Sequence, residues 1–321
     1  MASNFPTNSN QDIFEQDLRL AAIDIGSNAL RLHISRVRFS EKESIPSFKR
    51  IEQVRFPLRL GTDVFSLSHK ISPKNEEKFL QVMHVFKQVM EVFEVKDYMA
   101  CATSAMREAK NGKELVERVK QEVGIPINII SGDMEAELIN KSILSYVSTE
   151  NFVHIDVGGG STEVNIYHNL EKTDAHSFDM GSVRSITTDK KTATKEFIEK
   201  EDKNLKDWIQ KAVKPFSTTV NAVGTGGNIN KLYDLSKNSK SGKSLSIKEM
   251  ERLYKELKKR NYQERIRDFG LNDDRADVIL PATEIYLKVM KAAGIKEIIV
   301  PKVGLREGII QHLFEKNNVF H

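Results

Sequence analysis

The sequence predicts an α/β protein whose two domains face each other across a cleft. Three observations carry that expectation. Apolar runs of strand length alternate with amphipathic helical stretches along the chain. A strand–Asp–Gly turn occurs twice, at Asp24 and at Asp156, a domain's length apart. And 321 residues exceed what one small core accommodates.

In residues 18–38 an apolar run ends at Asp24. Gly26, Ser27 and Asn28 make a turn, and Leu30, Leu32 and Ile34 then alternate as a strand should. Residues 50–56 read as a further strand, followed by a loop around Gly61 and Thr62. Ser72 and Pro73 open a helix, with serine as N-cap and proline at the first helical position. Behind them Phe79, Val82, Met83, Phe86, Val89, Met90 and Phe93 recur at three-and-four spacing and mark its buried face. Tyr98–Ala102 is a short strand ending in Thr103, Ser104 and Arg107. A guanidinium there matches phosphate oxygens, although a solvated arginine fits as well. A charged helix follows near 112–122, then a strand at Ile127–Ile130 and a helix start at 131–139. Asp133, Glu135 and Glu137 crowd that first turn. Acids suit the helix dipole; the functional alternative is that one of them faces the cleft as a general base.

The stretch Phe152–Tyr167, FVHIDVGGGSTEVNIY, places a glycine turn between two strands. Backbone N–H groups of Gly158, Gly159 and Gly160, with the hydroxyls of Ser161 and Thr162, can cradle phosphate oxygens. Those glycines let a backbone approach a ligand with no Cβ in the way. Asp156 and Glu163 are placed to handle a divalent cation. An ordinary hairpin with a glycine-rich turn is the competing reading. Residues 175–188 give a strand, a turn at Gly181 and Arg184, followed by a lysine-rich helix to about Lys211 in which Trp208 packs. Thr219–Val223 is a strand feeding a third glycine turn, Gly224, Gly226 and Gly227, which opens a helix and suits phosphate or nucleoside groups. Residues 234–246 are polar and expected as a mobile loop. A helix near 246–260 carries Lys248, Arg252, Lys255, Lys258, Lys259 and Arg260, either a solvated face or a wall for a polyanion. Residues 273–281 precede an amphipathic helix to about Ala293, Glu297–Val300 is the last strand, and 304–310 opens the final helix.

Composition narrows the function. The chain is 39% hydrophobic and 29% charged, as soluble globular proteins are. Its net charge of +4, from 49 basic and 45 acidic residues, suits an anionic substrate but not a nucleic-acid binder. The single cysteine, Cys101, permits no intrachain disulfide, fits a reducing cytoplasm and is expected as a small buried residue. Residues 1–12 are polar and are expected to be a frayed tail rather than a signal peptide. No apolar run is long enough for a membrane span. The eight histidines are scattered without metal-ligand spacing, and His33 and His154, in strand runs, are expected as packing residues. Glycine turns, strand-end aspartates and an arginine suit phosphate chains with a bound cation. No Ser-His-Asp or Cys-His arrangement stands out, so the water-activating group left is a carboxylate.

Eight stretches in order, AAIDIGSNALRLHI, CATSAMREAKNG, IISGDMEAELI, HIDVGGGSTEV, FDMGSVRSI, AVGTGGNINKL, DRADVILP and VGLREGII, resemble the exopolyphosphatase/guanosine pentaphosphate phosphohydrolase (Ppx/GppA) family from about residue 20 to 312. The resemblance implies two ribonuclease H-like domains of the actin-like ATPase, sugar kinase and Hsp70 superfamily around a cleft. The first would span 1–136 and the second 137–303, with the final helix, about 304–321, packing back on the first. It implies Mg²⁺-dependent (or Mn²⁺-dependent) removal of terminal phosphate from inorganic polyphosphate, or alternatively from guanosine pentaphosphate, by a cytoplasmic enzyme. A homodimer is the expected state, since soluble oligomers are most often two-fold. The family's catalytic glutamate falls on Glu135. Asp156 would hold the cation with Glu163 nearby. Gly158 to Ser161 would hold phosphate from one side, Asp24, Gly26, Ser27 and Asn28 from the other, and Arg107 would neutralise the leaving phosphate. Met134 departs from the acidic residue the family usually has before its glutamate, and Ala29 from the last serine of its first turn; both bear on specificity and rate. The chain also stops short of the C-terminal helical domains of longer relatives. A phosphotransferase of the same fold and a non-catalytic polyphosphate or alarmone sensor are the readings from other classes.

Overall fold

The computed structural model describes residues 16–39, 46–147, 151–187, 195–216, 220–236 and 243–318. Alternating apolar residues make the first hairpin, β1 (Gln16–Ile25) and β2 (Leu30–Phe39), and β3 (Ser47–Phe56) adds to its edge. There follow α1 (Leu60–Val64), α2 (Pro73–Val92), β4 (Asp97–Ala102), α3 (Ser104–Glu108), α4 (Gly112–Glu122), β5 (Ile127–Ile129) and α5 (Gly132–Ile143). The second half repeats the plan: β6 (Phe152–Val157), β7 (Thr162–His168), β8 (Glu171–Phe178), α6 (Arg184–Thr187), α7 (Lys195–Val213), β9 (Asn221–Thr225) and α8 (Gly227–Leu235). It closes with β10 (Ser244–Ser246), α9 (Ile247–Lys258), α10 (Tyr262–Phe269), α11 (Asp273–Ala276), α12 (Ile279–Ala292), β11 (Glu297–Ile299) and α13 (Leu305–Asn318).

The two sheets share one topology. The first runs β3-β2-β1-β4-β5, antiparallel through the hairpins and parallel from β1 to β5. The second, read from β8, runs β8-β7-β6-β9-β11 with the same change from antiparallel to parallel pairing, and β10 adds an antiparallel edge. This is the duplicated α/β architecture that the paired Asp–Gly turns predict. β1 and β6 hold equivalent central positions, so Asp24 and Asp156 leave their sheets at equivalent strand ends.

Three apolar clusters hold the layers. One packs the outer face of the first sheet under α2 and α4, through Phe79, Met83, Phe86 and Val119. One packs the outer face of the second under α9 and α12, with Trp208 against it as expected. The third lies between the sheets: Leu20, Ala22 and Cys101 from the first and Phe152, Tyr167 and Val223 from the second close on α5 and α13. The domain division expected at 136/137 falls inside α5, which runs unbroken from Gly132 to Ile143, and α13 packs on both α5 and β1.

Several local expectations are corrected. Gly61 and Thr62 lie in a helical turn rather than a loop: Gly61 is buried, its N–H donating to the Ser27 carbonyl at 2.8 Å, while Thr62 is exposed. Ser72 sits at the N-cap of α2 but its hydroxyl makes no cap bond; it donates to Asp63 Oδ2 at 2.7 Å, which also takes Asn75 Nδ2 at 2.8 Å. β10 begins inside the stretch expected to be loop; residues 237–242 of that stretch, and the tail at 1–12, lie outside the described residues. Of the basic residues near 246–260, Arg252 bonds Glu249 and Glu256 at 2.6–2.7 Å, and Arg260 bonds Asp268 at 3.1 Å.

α13 crosses α5 at Gly308, where an added Cβ would stand 1.8 Å from the Leu138 carbonyl oxygen. Gly308→Ala is therefore expected to force the two helices apart and cost about 1–3 kcal/mol as overpacking does. Urea unfolding reads this directly, and an unchanged midpoint contradicts the close crossing.

Candidate active site

Period-two alternation sets the site. In the β6–β7 register Asp156 stands directly opposite Glu163, and in the β1–β2 register Asp24 stands opposite Arg31. The two turns thus differ in charge. Arg31 Nη1 donates to Asp24 Oδ2 at 3.1 Å, so the first turn carries a closed ion pair. The second presents two like charges side by side, a destabilising cross-strand pair. Glu135 adds a third carboxyl from the first turn of α5, whose start is fixed by the Ser131 hydroxyl accepting the Met134 N–H at 3.2 Å. Glu135, Asp156, Glu163 and Asp24 line a single cavity of about 140 Å³ between the sheets.

Burial and mutual repulsion raise three of these acids. Burial, then the charges of Glu163, Asp156 and Asp24, pushes Glu135 well above the carboxylate range, against a smaller opposing pull from Arg107. Glu163 is raised to about 7 by burial and by Asp156, although the Ser161 hydroxyl (2.6 Å) and the Ser177 hydroxyl (3.0 Å) both donate to its Oε1. Asp156 is raised to about 6, chiefly by burial, despite a 2.8 Å hydrogen bond from Thr225 Oγ1. The group favours any positive charge, proton or metal, that enters the cavity.

Most of the sequence-predicted phosphate binders reach this cavity. Gly26, Ser27, Asn28, Gly158, Gly159, Ser161, Gly226 and Gly227 line it. Gly160, Thr162, Gly224 and Arg107 are not among its lining residues. Gly160 is used for contact between the halves: a Cβ there would meet Phe65 at 2.3 Å and Ser104 Oγ at 2.7 Å. Gly159 does the same against the Ser27 Cβ at 2.7 Å. These two glycines let the opposed turns touch each other, rather than only admitting a ligand. Thr162 is fully buried and donates its hydroxyl to the Met180 carbonyl. Gly224 packs under Ile298 and Ile229. Arg107 lies on the exposed side of α3 with Nη1 donating to the Ile130 carbonyl at 2.8 Å, and acts on Glu135 and Glu163 through its charge.

Three arginines in the lining were not singled out from sequence: Arg31, Arg275 and Arg306. Each lies in one of the stretches that carry the family resemblance and follows a glycine turn or opens a helix, signals that could have found them. Arg275 Nη1 donates to the Gly227 carbonyl. Arg306 Nη1 is buried and, among the described residues, has no hydrogen-bond partner. A buried guanidinium nitrogen left so is costly unless an anion completes it.

Contacts across the cleft bring its walls together. Asn28 Nδ2 donates to the Asp274 carbonyl and Oδ2, both at 3.0 Å, Arg55 pairs with Asp274, and Arg59 Nη2 meets Asp277 Oδ2 at 2.7 Å. On the other rim Arg184 bonds Glu108 at 2.6 Å and lies 4.2 Å over the Phe65 ring.

Among the described residues no group of three or more His, Cys, Asp or Glu side chains is disposed to cage a metal ion. Mg²⁺ takes one or two carboxylates, keeps several waters and completes its shell with substrate phosphates. The hard, buried and like-charged Asp156 and Glu163 fit that donor set.

The Ppx/GppA phosphatase family model matches residues 38–317. The structure is similar to that of the Aquifex aeolicus Ppx/GppA family member, at 29% identity and TM-score 0.72, covering 94% of this chain and 99% of that one. It is also similar in fold to an exopolyphosphatase from Cytophaga hutchinsonii, at 24% identity and TM-score 0.76, covering 93% and 98%. A curated relative, the bifunctional 3-dehydroquinate synthase/phosphatase of Fusobacterium nucleatum, is 28% identical over 90% of this chain, which spans 46% of the relative's length. With the family model matching most of its length, the chain belongs to the Ppx/GppA phosphatase family, whose chemistry is the hydrolysis of phosphoric anhydrides.

Proposed function

We propose that the chain is an exopolyphosphatase that releases terminal phosphate from inorganic polyphosphate, with Glu135 as general base. The observation that carries this reading is the convergence of Glu135 with Asp156 and Glu163 on one cavity between two Asp–Gly turns. Glu135, held at the start of α5 and partly open to the cavity, takes the proton from the attacking water. Backbone N–H groups of Ser27, Asn28, Gly159 and Ser161 receive the phosphate oxygens, those of Gly26 and Gly158 being taken by the Ala29 and Ser161 carbonyls, and Arg306 offers its Nη1, which has no hydrogen-bond partner among the described residues. Asp156 and Glu163 would hold Mg²⁺ (or Mn²⁺), which when bound neutralises phosphate charge and lowers the pKa values of the carboxylates around it. Arg107 acts from outside the cavity, lowering the pKa of Glu135 and Glu163.

Guanosine pentaphosphate is the second substrate considered. Its terminal phosphate would enter the same cavity, so the two substrates are separated by assay. The units are proposed as 1–136, with the final helix (about 304–321) packing back on it, and 137–303, and a cytoplasmic homodimer as the working state.

Incubation with polyphosphate and with guanosine pentaphosphate, each with and without Mg²⁺, tests the activity. Phosphate release from polyphosphate that needs Mg²⁺ is expected; no release from either substrate refutes the reading. Glu135→Gln is expected to lower kcat by roughly 10²–10⁴, the worth of general-base help, with KM little changed. Wild-type turnover in that variant removes Glu135 from the mechanism.

Stability should report the cation as well. In the metal-free protein Asp156 is held near 6 and Glu163 near 7, above their ordinary values. The folded state then binds more protons than the unfolded one, so stability is fullest below the ordinary carboxylate range and is lost as pH rises through about 7. A cation on these acids reverses the sign. Mg²⁺ should raise Tm more at about pH 7.5 than at about pH 5. An equal shift at both, or none, contradicts the placement.

A further inference from the structure

One face of the second sheet changes character along its length. Phe152, His154 and Asp156 of β6 point the same way, beside Tyr167, Asn165 and Glu163 of β7. At the inner end Phe152 and Tyr167 stack at 4.3 Å and 7°. At the cleft end stand Asp156 and Glu163. Between them lies a polar layer sealed from solvent: His154 and Thr225 are 0% exposed and Asn165 is 2%. An imidazole, an amide and a hydroxyl in a core cost free energy unless each is hydrogen-bonded. Here they bond in single file. Asn165 Nδ2 lies 3.1 Å from His154 Nδ1, His154 Nε2 lies 2.9 Å from Thr225 Oγ1, and Thr225 Oγ1 lies 2.8 Å from Asp156 Oδ2.

The chemistry of the groups gives this file a direction. A carboxylate only accepts, so the Thr225 proton goes to Asp156 Oδ2. The hydroxyl oxygen then accepts from His154 Nε2–H. A neutral imidazole carries one proton, so Nδ1 accepts, and the Asn165 amide must present N–H to it. The ring is neutral: burial with no acidic partner pushes its pKa down to about 3. Each of the three hydrogen bonds then has one donor and one acceptor. The other oxygen of Asp156, Oδ1, faces the Gly226 turn, where a Cβ would come within 2.8 Å of it; Gly226 holds φ +99°, which glycine adopts without strain.

We propose that His154 and Asn165 are positioning residues for Asp156: acting through Thr225, they fix Oδ2 to the protein and leave Oδ1 as the oxygen turned to the cleft ligand. The inference rests on the reading of Asp156 as a cation-holding residue. It deepens that reading by tracing the carboxylate's orientation to two buried side chains that touch neither cation nor substrate. The two residues are directly paired across β6 and β7, so each explains why the other is polar in an apolar strand.

Two measurements test it. In the wild-type protein, ¹⁵N NMR of the imidazoles should show His154 as the Nε2–H tautomer; the Nδ1–H tautomer overturns the proposal. Binding of Mn²⁺ alone is then followed by electron paramagnetic resonance for His154→Val, His154→Gln, Asn165→Val and Asp156→Asn, each checked for an intact Tm. His154→Val should weaken Mn²⁺ by about 10–100-fold, the usual effect of removing the partner that orients a ligand. His154→Gln, whose amide can still donate to Thr225, should recover most of that loss, which a merely structural role does not predict. Asn165→Val should fall between them and show mixed tautomers of His154. Wild-type Mn²⁺ affinity in His154→Val beside lost affinity in Asp156→Asn overturns the positioning role and spares the metal assignment. Undiminished affinity in Asp156→Asn overturns the metal assignment, and the inference with it.

Discussion

The register of β6 against β7 puts two carboxylates, Asp156 and Glu163, directly opposite each other, and the rest of the site is arranged around that opposition. Like charges so placed and so buried are costly. The fold offsets part of the cost with donors: Thr225 to Asp156, and Ser161 and Ser177 to Glu163. The remainder appears as raised proton affinity at both acids and at Glu135. A site in this condition is poised for a cation, and the anionic substrate that accompanies it completes the neutralisation. The equivalent pair in the first sheet, Asp24 with Arg31, is already neutral. Duplication therefore gave two similar jaws, and one residue, arginine against glutamate, separates their chemistry.

The layer between the sheets is what holds Glu135 to the other carboxylates. α5 and α13 fill that space with Leu138, Ile139, Ile309 and Ile310, and Gly308 lets them cross closely. Glu135 sits at the end of α5 that points toward the cleft, so helix packing decides where the proposed general base stands. The glycines of the 158–160 turn serve this geometry too. Two of them are small because Ser27, Phe65 and Ser104 press against them from the opposite turn. Closure of the cleft and access to phosphate thus draw on the same few backbone positions.

Much of this was legible in the sequence because its signals are local. Alternation placed the strands, acids crowding a first turn marked the start of α5, and a repeated Asp–Gly turn announced the duplication. What stayed hidden depends on contacts far apart in the chain. The helical turn at Gly61 exists because it docks on Ser27, and Arg107 is turned outward by the Ile130 carbonyl. Arg275 and Arg306 join the cavity only because α11 and α13 return to the cleft after a long excursion. His154 read as a packing residue, which its burial supports; that its ring is the middle of a hydrogen-bonded file ending on Asp156 needed Thr225 from a strand remote in sequence.

The central claim is a place: cation, terminal phosphate and base meet at the second jaw. A crystal of the Glu135→Gln protein grown with Mn²⁺ and short-chain polyphosphate tests it most directly, because anomalous scattering locates manganese without interpretation. The account predicts a manganese peak bonded by Asp156, Glu163 or both, sharing its shell with the terminal phosphate, and that phosphate facing residue 135. Manganese bound away from both carboxylates, or a terminal phosphate remote from residue 135, would contradict it.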